Sequence, residues 1–288
     1  MADKNTRTSV KALDEILGHP FPVLDHGFVR VVDYMGDDSA IVQAARVSYG
    51  TGTKTARNDE GLIRYLMRHS HTTPFEMCEI KLHIKLPVFV ARQWVRHRTA
   101  NINEISARYS ILDREFYVPD SEQVSSQSLI NNQGRGAKLA DAKASDVVNS
   151  IKAQGQSAFN LYDEMLADDD EGVARELART VLPLGAYTQW YWKIDLHNLL
   201  HFLRLRADAH AQYEIRVYAE AIINILERWV PVTARAFHDY CLHSFRLSAA
   251  MVTVVKRILR NEPPDYQAEG LSKREWQELC HVLDISSE

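Results

Sequence analysis

One stretch of the chain alternates strictly between apolar and polar residues. From Glu79 to Leu86 every second side chain is aliphatic, which is the pattern of a β-strand with one buried face. Cys78 is in phase with the aliphatic positions, so we expect its thiol to be buried and inert. Further strands are predicted at 27–33, 116–119 and 188–195. Strands spread in this way along the chain predict a sheet that helices cover.

Most of the remaining chain carries helical patterns. Residues 1–21 are predicted to form an amphipathic arm, and residues 121–145 lack periodicity and are predicted to be a long surface excursion. The chain after Pro231 is predicted to be helical to its end, and Ser272-Lys273-Arg274-Glu275 is a capping box that opens the last helix. Helices in the first part of the chain are predicted at 39–47, 59–67, 145–167 and 171–182, with a long one that ends near residue 229.

A short helix with two different faces follows the alternating strand. Pro87 suits its first position, and we expect it to end near Arg98. At 3.6 residues per turn, one side is apolar and the other carries Arg92, Gln93, Arg96 and His97. The next segment, 99–110, is polar and rich in hydrogen-bond donors. This combination suits a planar, anionic ligand, although a solvated helix face followed by a surface loop is the simpler interpretation.

A second group of polar residues lies between Leu196 and Arg216. On a helical projection His197, His201 and Arg204 share one edge, while leucines face away from it. Two histidines four residues apart invite a zinc hypothesis, but the glutamate of HExxH is absent and spacing positions no third ligand. We expect no metal; a hydrolase that uses these histidines and the acidic run 168–171 is one alternative function.

Composition and charge narrow the class of protein. The chain has 288 residues, of which 45% are hydrophobic, and a net charge of −4 from 34 basic and 38 acidic residues. That balance argues against a general nucleic-acid binder, although a nucleotide- or RNA-binding module without catalysis is a second alternative. The three cysteines imply neither a disulfide framework nor a CxxC site. Because no secretory signal and no membrane-spanning run is recognisable, we expect a cytoplasmic enzyme without nucleic-acid or membrane partners.

Three segments together resemble one enzyme family. Arg96-His97-Arg98, seven residues, and then Ser106 resemble the signature of the flavin-dependent thymidylate synthases, with Asn103-Glu104 inside it and Arg108-Tyr109 after it. Asn101 stands where that pattern has serine. The segment around His71 and the block from Arg206 to Gln212 are also similar to the family. The resemblance covers 22–230 and leaves the arm, 1–21, and a helical C-terminal extension, 231–288, outside it.

The resemblance implies a fold and a reaction. The fold is α+β, with a central, largely antiparallel sheet flanked by long helices in a single domain plus the C-terminal extension, and the assembly is a homotetramer. The reaction is methylation of deoxyuridylate (dUMP) to thymidylate (dTMP). The carbon comes from 5,10-methylenetetrahydrofolate, NADPH reduces FAD, reduced FAD provides the hydride, and tetrahydrofolate is released. No enzyme nucleophile is implied, so neither the cysteines nor Ser106 is expected to attack the substrate.

The resemblance also assigns individual residues to ligands. Arg206 is implied as the catalytic group because its fixed cation lowers the cost of negative charge on the uracil ring. His71 and Tyr109 are implied to stack on folate or flavin. The residues implied for dUMP are Gln93, Arg96, Glu104, Ile105, Ser106, Ala107, Arg108, Arg179 and Arg206. The residues implied for FAD are Ser48, Thr73, Glu76, Arg96, His97, Arg98, Thr99, Asn103, Glu104, Asp195, His197, His201 and His210.

Overall fold

The computed structural model describes residues 7–47, 59–129, 134–167 and 171–286, and these ranges contain seven strands and eleven helices. The strands are β1 (Pro20–Val23), β2 (Gly27–Met35), β3 (Glu79–Pro87), β4 (Asn101–Glu104), β5 (Ser125–Gln127), β6 (Arg135–Lys138) and β7 (Tyr187–Asp195). The helices are α1 (Lys11–Asp14), α2 (Asp38–Val47), α3 (Asp59–Arg68), α4 (Val88–Trp94), α5 (Asp141–Leu166), α6 (Arg175–Ala178), α7 (Leu196–Arg206), α8 (Tyr213–Trp229), α9 (Pro231–Phe237), α10 (Ala249–Leu259) and α11 (Lys273–Leu283).

Five strands form one antiparallel sheet in the order β1-β2-β3-β7-β4. The central pair, β3 and β7, is in register over nine residues, from Glu79 opposite Asp195 to Pro87 opposite Tyr187. The strands β5 and β6 form a separate two-stranded hairpin. The predicted α+β class with a largely antiparallel central sheet is therefore confirmed.

One face of the sheet is buried beneath helices. The side chains of β3 on this face are the aliphatic ones that the alternation predicts, and Cys78 is buried in the same phase. Trp94 of α4 is fully buried there, with its ring 5.1 Å from Trp192 of β7 and 4.5 Å from Phe202 of α7, measured between ring centroids. Aromatic pairs at such separations contribute about 0.5–1.5 kcal/mol each beyond the area that they bury. This aromatic cluster joins α4 and α7 to the middle of the sheet.

The contacts within the chain divide it into two compact units, 1–237 and 238–288. The second unit holds the helices α10 and α11, whose core includes Val254, Leu279 and the stacked rings of Tyr266 and Trp276. The capping box predicted at the start of α11 is present, with reciprocal bonds between Ser272 and Glu275. The boundaries predicted for the arm, core and extension stay predictions.

Several predicted strand and helix boundaries differ from the observed ones. The strand predicted at 116–119 is reduced to a single bridge between Phe116 and Ala186, because the N–H of Val118 bonds to the Asp25 carboxylate instead of to a strand. The helix predicted at 171–182 is shortened to α6 and a 3₁₀ turn at 179–181. In both segments a non-local contact or a following proline replaces the regular pattern.

The helix α4, which follows the alternating strand, is also shorter than predicted. It begins at Val88 with Pro87 as the N-cap and last residue of β3, and it ends at Trp94 rather than near Arg98. Part of the polar segment after it forms β4, which pairs with β7. The described residues of the segment predicted as a surface excursion, 121–145, include the β5–β6 hairpin and the start of α5. Pairing with β7, about 90 residues further along the chain, accounts for β4, and local periodicity does not report such pairing.

None of the helices in the described part of the chain combines the length and the apolar character that crossing a bilayer requires.

We expect Gly27 to be intolerant of a side chain. A Cβ atom there would overlap the Tyr218 hydroxyl and lie 2.6 Å from the carbonyl oxygen of Val23. It would displace the bond that the Tyr218 hydroxyl donates to the Lys85 carbonyl at 2.7 Å. Gly27→Ala should therefore lower the free energy of unfolding by about 2–3 kcal/mol, measured by urea denaturation.

The matched control is Gly185→Ala in the same unit. A Cβ atom at Gly185 would lie 3.6 Å from the Tyr117 carbonyl oxygen, which is an ordinary contact. Its effect on the free energy of unfolding should stay within about 1 kcal/mol. Equal destabilisation by the two substitutions would show that close packing around Gly27 is not the cause.

Candidate active site

Two distant segments of the chain meet at His97. His97 lies just beyond α4, is half-buried, and has its ring 4.9 Å from Phe202 and 5.7 Å from His201, both on α7. Arg206, the last residue of α7, donates its Nε–H to His97 Nε2 at 3.0 Å. The structure therefore brings together three of the predicted site residues: His97, His201 and Arg206.

The charge state of His97 follows from this environment. Burial, and then the positive charge of Arg206 and the neighbouring His201, lower the pKa of His97 to about 4. The ring is therefore neutral at pH 7, with its proton on Nδ1, because Nε2 accepts from Arg206. Burial also lowers the pKa of Arg206 from its ordinary value of 12.5, but an arginine remains a cation at pH 7. One N–H of Arg206 is thus fixed, and its other donors have no partner in the described part of the chain, so they are available to a ligand.

A pocket of about 580 Å³ opens beside Arg206. Gln93 of α4 and His210, from the loop between α7 and α8, also line it. The Asp208 carboxylate orients His210 by accepting from its backbone N–H at 2.8 Å and contacting its ring Nδ1 at 2.9 Å. These bonds from His210 lower the pKa of Asp208, although burial opposes them. This pocket, called pocket A below, has the size of a ligand site.

A second pocket, of about 450 Å³, lies where β4 ends. Five of the residues predicted to bind dUMP line this pocket B, and none of them lines pocket A. Thr188 of β7 donates its hydroxyl to the Glu104 carboxylate at 2.6 Å and so fixes the position of Glu104. The five residues are Glu104, Ile105, Ser106, Ala107 and Arg179.

Ser106 begins a tight turn. Its carbonyl oxygen accepts from the N–H groups of Tyr109 and Ser110, each at 3.1 Å, and its hydroxyl accepts from the N–H of Arg108 at 3.3 Å. No histidine contacts this hydroxyl among the described residues. A serine needs an adjacent general base to act as a nucleophile, so this geometry favours a hydrogen-bonding role for Ser106.

The segment around α6 holds the turn in place. Glu176 pairs with Arg108 at 3.1 Å, and Arg175 donates to the carbonyl oxygen of Tyr109 at 2.9 Å. The ring of Tyr109 remains 77% exposed. Arg108 therefore pairs with Glu176 and is not part of the lining of pocket B, and the ring of Tyr109 is accessible.

The residues predicted for FAD lie mainly around α7 and the segment that ends α4. Asp195 is the N-cap of α7, because its carboxylate accepts from the N–H of Asn198 at 2.9 Å. His197 and His201 follow on α7, and burial and then the charge of Arg204 lower the pKa of His201. The 3₁₀ turn at 75–77, which contains Glu76 and follows Thr73, packs against α7. These FAD candidates come from segments about 120 residues apart in sequence and are neighbours in space.

Other FAD candidates lie at the surface. Arg96, Arg98, Thr99 and Asn103 are exposed, and His71 is an exposed residue whose ring lies edge-to-face with Tyr65 at 5.7 Å. Within the described residues, the guanidinium groups of Arg96 and Arg98 have no ion-pair or hydrogen-bond partner, so both cations remain available to an anion. Ser48 lies outside the described residues.

Sequence reasoning missed some of the residues that shape the site. Tyr187 and Thr188 line pocket B from β7, where their positions belong to a buried strand pattern. Glu214, in the first turn of α8, is 2% exposed and accepts from Gln212, which lines pocket A. An acidic residue inside the apolar stripe of α8 is the signal that could have singled out Glu214.

The described residues contain no group of three His, Cys, Asp or Glu side chains that could hold a metal ion. Cys78 is fully buried, and burial followed by the charges of Asp37 and Asp38 raises its pKa to about 12. A thiol with that pKa is not ionised at pH 7, so Cys78 lacks the thiolate that nucleophilic attack requires.

Comparisons with known proteins agree on one family. Residues 30–232 match the family model Thy1, described as Thymidylate synthase complementing protein. A flavin-dependent thymidylate synthase of Ruegeria pomeroyi is 63% identical over 91% of this chain and 87% of its own length, and one of Gluconobacter oxydans is 60% identical over 98% and 93%. The UMP/dUMP methylase PolB from Streptomyces cacaoi, in a crystal structure bound with 5-Br UMP, is 35% identical in sequence. The similarity has a TM-score of 0.68 and covers 77% of this chain and 98% of the PolB chain.

The junction between His97 and Arg206 predicts an unusual titration. In spectra of protein with ¹³C-labelled histidine, the ring of His97 should titrate near pH 4 rather than at its ordinary 6.5. Arg206→Met should raise this pKa, but not to 6.5, since burial remains the larger cause. Arg204→Met, which removes a charge that acts on His201, should leave the titration of His97 unchanged.

The same shift has a consequence for stability. Between pH 6.5 and about 4 the unfolded chain binds a proton at His97 that the folded chain does not, so the free energy of unfolding should fall as the pH falls through this window. His97→Gln removes this contribution. An ordinary pKa near 6.5 for His97 in the wild-type protein would contradict the assigned contact.

Proposed function

Because this chain belongs to the Thymidylate synthase complementing protein family, that of the flavin-dependent thymidylate synthases, we propose that it converts dUMP to dTMP with FAD, methylenetetrahydrofolate and NADPH. The names of its relatives support an enzyme that methylates dUMP with a flavin. The balanced reaction is dUMP, methylenetetrahydrofolate, NADPH and a proton going to dTMP, tetrahydrofolate and NADP⁺. The cytoplasmic location stays a prediction.

The observation that carries this proposal is the composition of pocket B. Five residues predicted for dUMP from sequence alone converge on one pocket of about 450 Å³, within the usual size range for a small-molecule site. Arg179 offers a cation for the phosphate, whereas Ser106 and Glu104 offer a hydroxyl and a carboxylate for polar groups of the nucleotide. Such a set suits a nucleotide monophosphate.

The remaining dUMP candidates support a site shared between copies of the chain. Gln93 and Arg206 line pocket A, which has no lining residue in common with pocket B. A symmetric assembly can bring pocket A of one copy to pocket B of another. We therefore propose that the enzyme is a homotetramer with dUMP and FAD at subunit contacts. Sedimentation equilibrium that gives a monomer with full activity would contradict this.

The donor set of the chain fits FAD. A pyrophosphate needs cations, and Arg96 and Arg98 are exposed cations without a partner in the described part of the chain. Flavin and adenine rings need polar groups at their edges, and His197, His201 and Asn103 offer them. We propose that these residues hold FAD together with the others named for it above. When bound, reduced FAD supplies the hydride that completes the methyl group of dTMP.

The protein itself supplies position and charge. C5 of uracil becomes nucleophilic when electron density on the ring rises, and negative charge then develops on the ring oxygens. Arg206 offers a fixed cation for that charge. Neutral His97 holds the Arg206 guanidinium, because His97 Nε2 accepts from the Nε–H of Arg206. Neither Cys78, which is un-ionised, nor Ser106, which lacks a base, serves as a nucleophile. His71 and Tyr109, with exposed rings, are proposed to stack on folate or flavin.

The released folate tests the source of the hydride. Methylation should consume NADPH and release tetrahydrofolate in equal amounts to dTMP, because the folate donates only its carbon. Chromatography of the folates after a single incubation measures this. Dihydrofolate formed in equal amounts to dTMP would instead show that the folate provides the hydride, and it would refute the proposed reaction.

Substitutions should separate the roles of Ser106 and Arg206. Ser106→Ala removes a hydrogen bond and should raise the KM for dUMP about tenfold while leaving measurable turnover. Arg206→Ala removes the cation that stabilises ring charge and should lower kcat by about 10²–10³-fold while the yellow flavin stays bound. Steady-state rates and visible absorbance are the measurements.

Two neighbouring substitutions serve as controls. Ser110→Ala removes a hydroxyl from the same turn outside the lining of pocket B, and Arg92→Ala removes an exposed cation from α4 outside both linings. Both should keep the wild-type rate. A covalent adduct between Ser106 and the nucleotide, or an active Arg206→Ala variant beside a dead Ser106→Ala variant, would overturn the assignment.

A further inference from the structure

A chain of hydrogen bonds runs from the buried Glu214 to the wall of pocket A. The side chain of Gln212 donates from Nε2 to Glu214 Oε2 at 2.9 Å. The Nε2 group of Gln93 in turn donates to Oε1 of Gln212. Gln93 and Gln212 both line pocket A, whereas Glu214 lies behind them and is 2% exposed. The bonds thus connect a buried carboxylate with a predicted dUMP-binding side chain.

Glu214 is held as a carboxylate by its other partners. Arg135, from the β5–β6 hairpin, forms an ion pair with Oε1, and the Tyr117 hydroxyl donates to the same oxygen at 3.1 Å. Burial alone would raise the pKa of Glu214, but the bonds from Arg135 and Gln212 outweigh it, and the pKa lies below its ordinary value. Glu214 is therefore ionised at pH 7 and can only accept hydrogen bonds.

An acceptor at one end fixes the direction of the whole chain. An amide side chain can present either its oxygen or its NH₂ group, and its orientation depends on its neighbours. Because Glu214 only accepts, Gln212 must turn its NH₂ group toward Glu214 and its oxygen toward Gln93. Gln93 must then turn its NH₂ group toward Gln212. The side-chain oxygen Oε1 of Gln93 is left as the end of this chain of hydrogen bonds, with no protein donor among the described residues.

We propose that Glu214 is a positioning residue. Through Gln212, it makes Gln93 present its side-chain oxygen Oε1 to a hydrogen-bond donor of the bound nucleotide. This inference rests on the proposed function, which supplies dUMP as the ligand. A deoxyuridylate molecule offers two such donors, the N3–H of the ring and the 3′-hydroxyl of the deoxyribose. Both share the chemistry that an oriented amide oxygen recognises.

The test is a double-mutant cycle on dUMP binding to the flavin-loaded enzyme. Glu214→Gln replaces the acceptor with a group of equal size that can also donate, so the direction of the chain is no longer imposed. We expect the dissociation constant for dUMP, measured by calorimetry, to rise about tenfold. In a Gln93→Ala background the same substitution should change it less than about twofold, since the end of the chain is gone.

Two further variants separate positioning from support of the fold. Tyr117→Phe removes another donor to Glu214 but leaves the carboxylate intact, so it should keep the wild-type dissociation constant. Gln212→Met interrupts the chain without touching the Arg135 pair, and it serves in place of Glu214→Gln if that variant does not fold. Its effect on binding should likewise vanish in the Gln93→Ala background.

Nucleotide analogues identify the donor. The effect of Glu214→Gln should disappear with N3-methyl-dUMP if the ring N–H is bound, or with 2′,3′-dideoxyuridylate if the 3′-hydroxyl is bound. Persistence of the effect with both analogues would overturn the proposal, as would equal losses with and without Gln93. A wild-type enzyme that binds no dUMP would refute the proposed function instead, so the two failures are distinguishable.

Discussion

The packing of Trp94 against Trp192 and Phe202 is the contact on which the site depends. The helices α4 and α7 begin at opposite ends of the β3–β7 pair, which spans about 30 Å over nine residues. At 1.5 Å per residue, α4 covers about 10 Å and α7 about 16 Å, so the two helices meet only if both run back across the same sheet face. The aromatic cluster holds them there, and His97 and Arg206 come into contact just beyond it.

This arrangement explains how a sheet with an ordinary core supports an electrostatic function. The burial that packs Phe202 also keeps His97 neutral, and a neutral His97 can hold Arg206 without repelling it. The same principle recurs at Glu214, where burial beside Arg135 leaves a carboxylate that orients two amides. In both places an acceptor that its surroundings keep in one charge state orients a neighbouring side chain at a pocket.

Much of the fold was predictable because its signals are local. The alternation in β3 reports a face that is truly buried, and the boundaries of α2, α3 and β7 follow from periodicity within one or two residues. The strand β4 was not predictable. Its four residues are all exposed, and only their backbone pairing with β7 makes them a strand.

The motif residues of pocket B were predictable as a group, because most of them lie in one short segment. The contact of His97 with Arg206 and the chain from Glu214 to Gln93 join residues more than 100 positions apart, and spacing does not report such contacts.

We propose that reduced flavin, and not the folate or a protein thiol, completes the methyl group. A single anaerobic turnover tests it most directly: enzyme with photoreduced FAD is mixed with dUMP and methylenetetrahydrofolate in the absence of NADPH. Flavin absorbance and dTMP are followed together. We expect one dTMP for each flavin that returns to its oxidised spectrum. Formation of dTMP while the flavin stays reduced would contradict it.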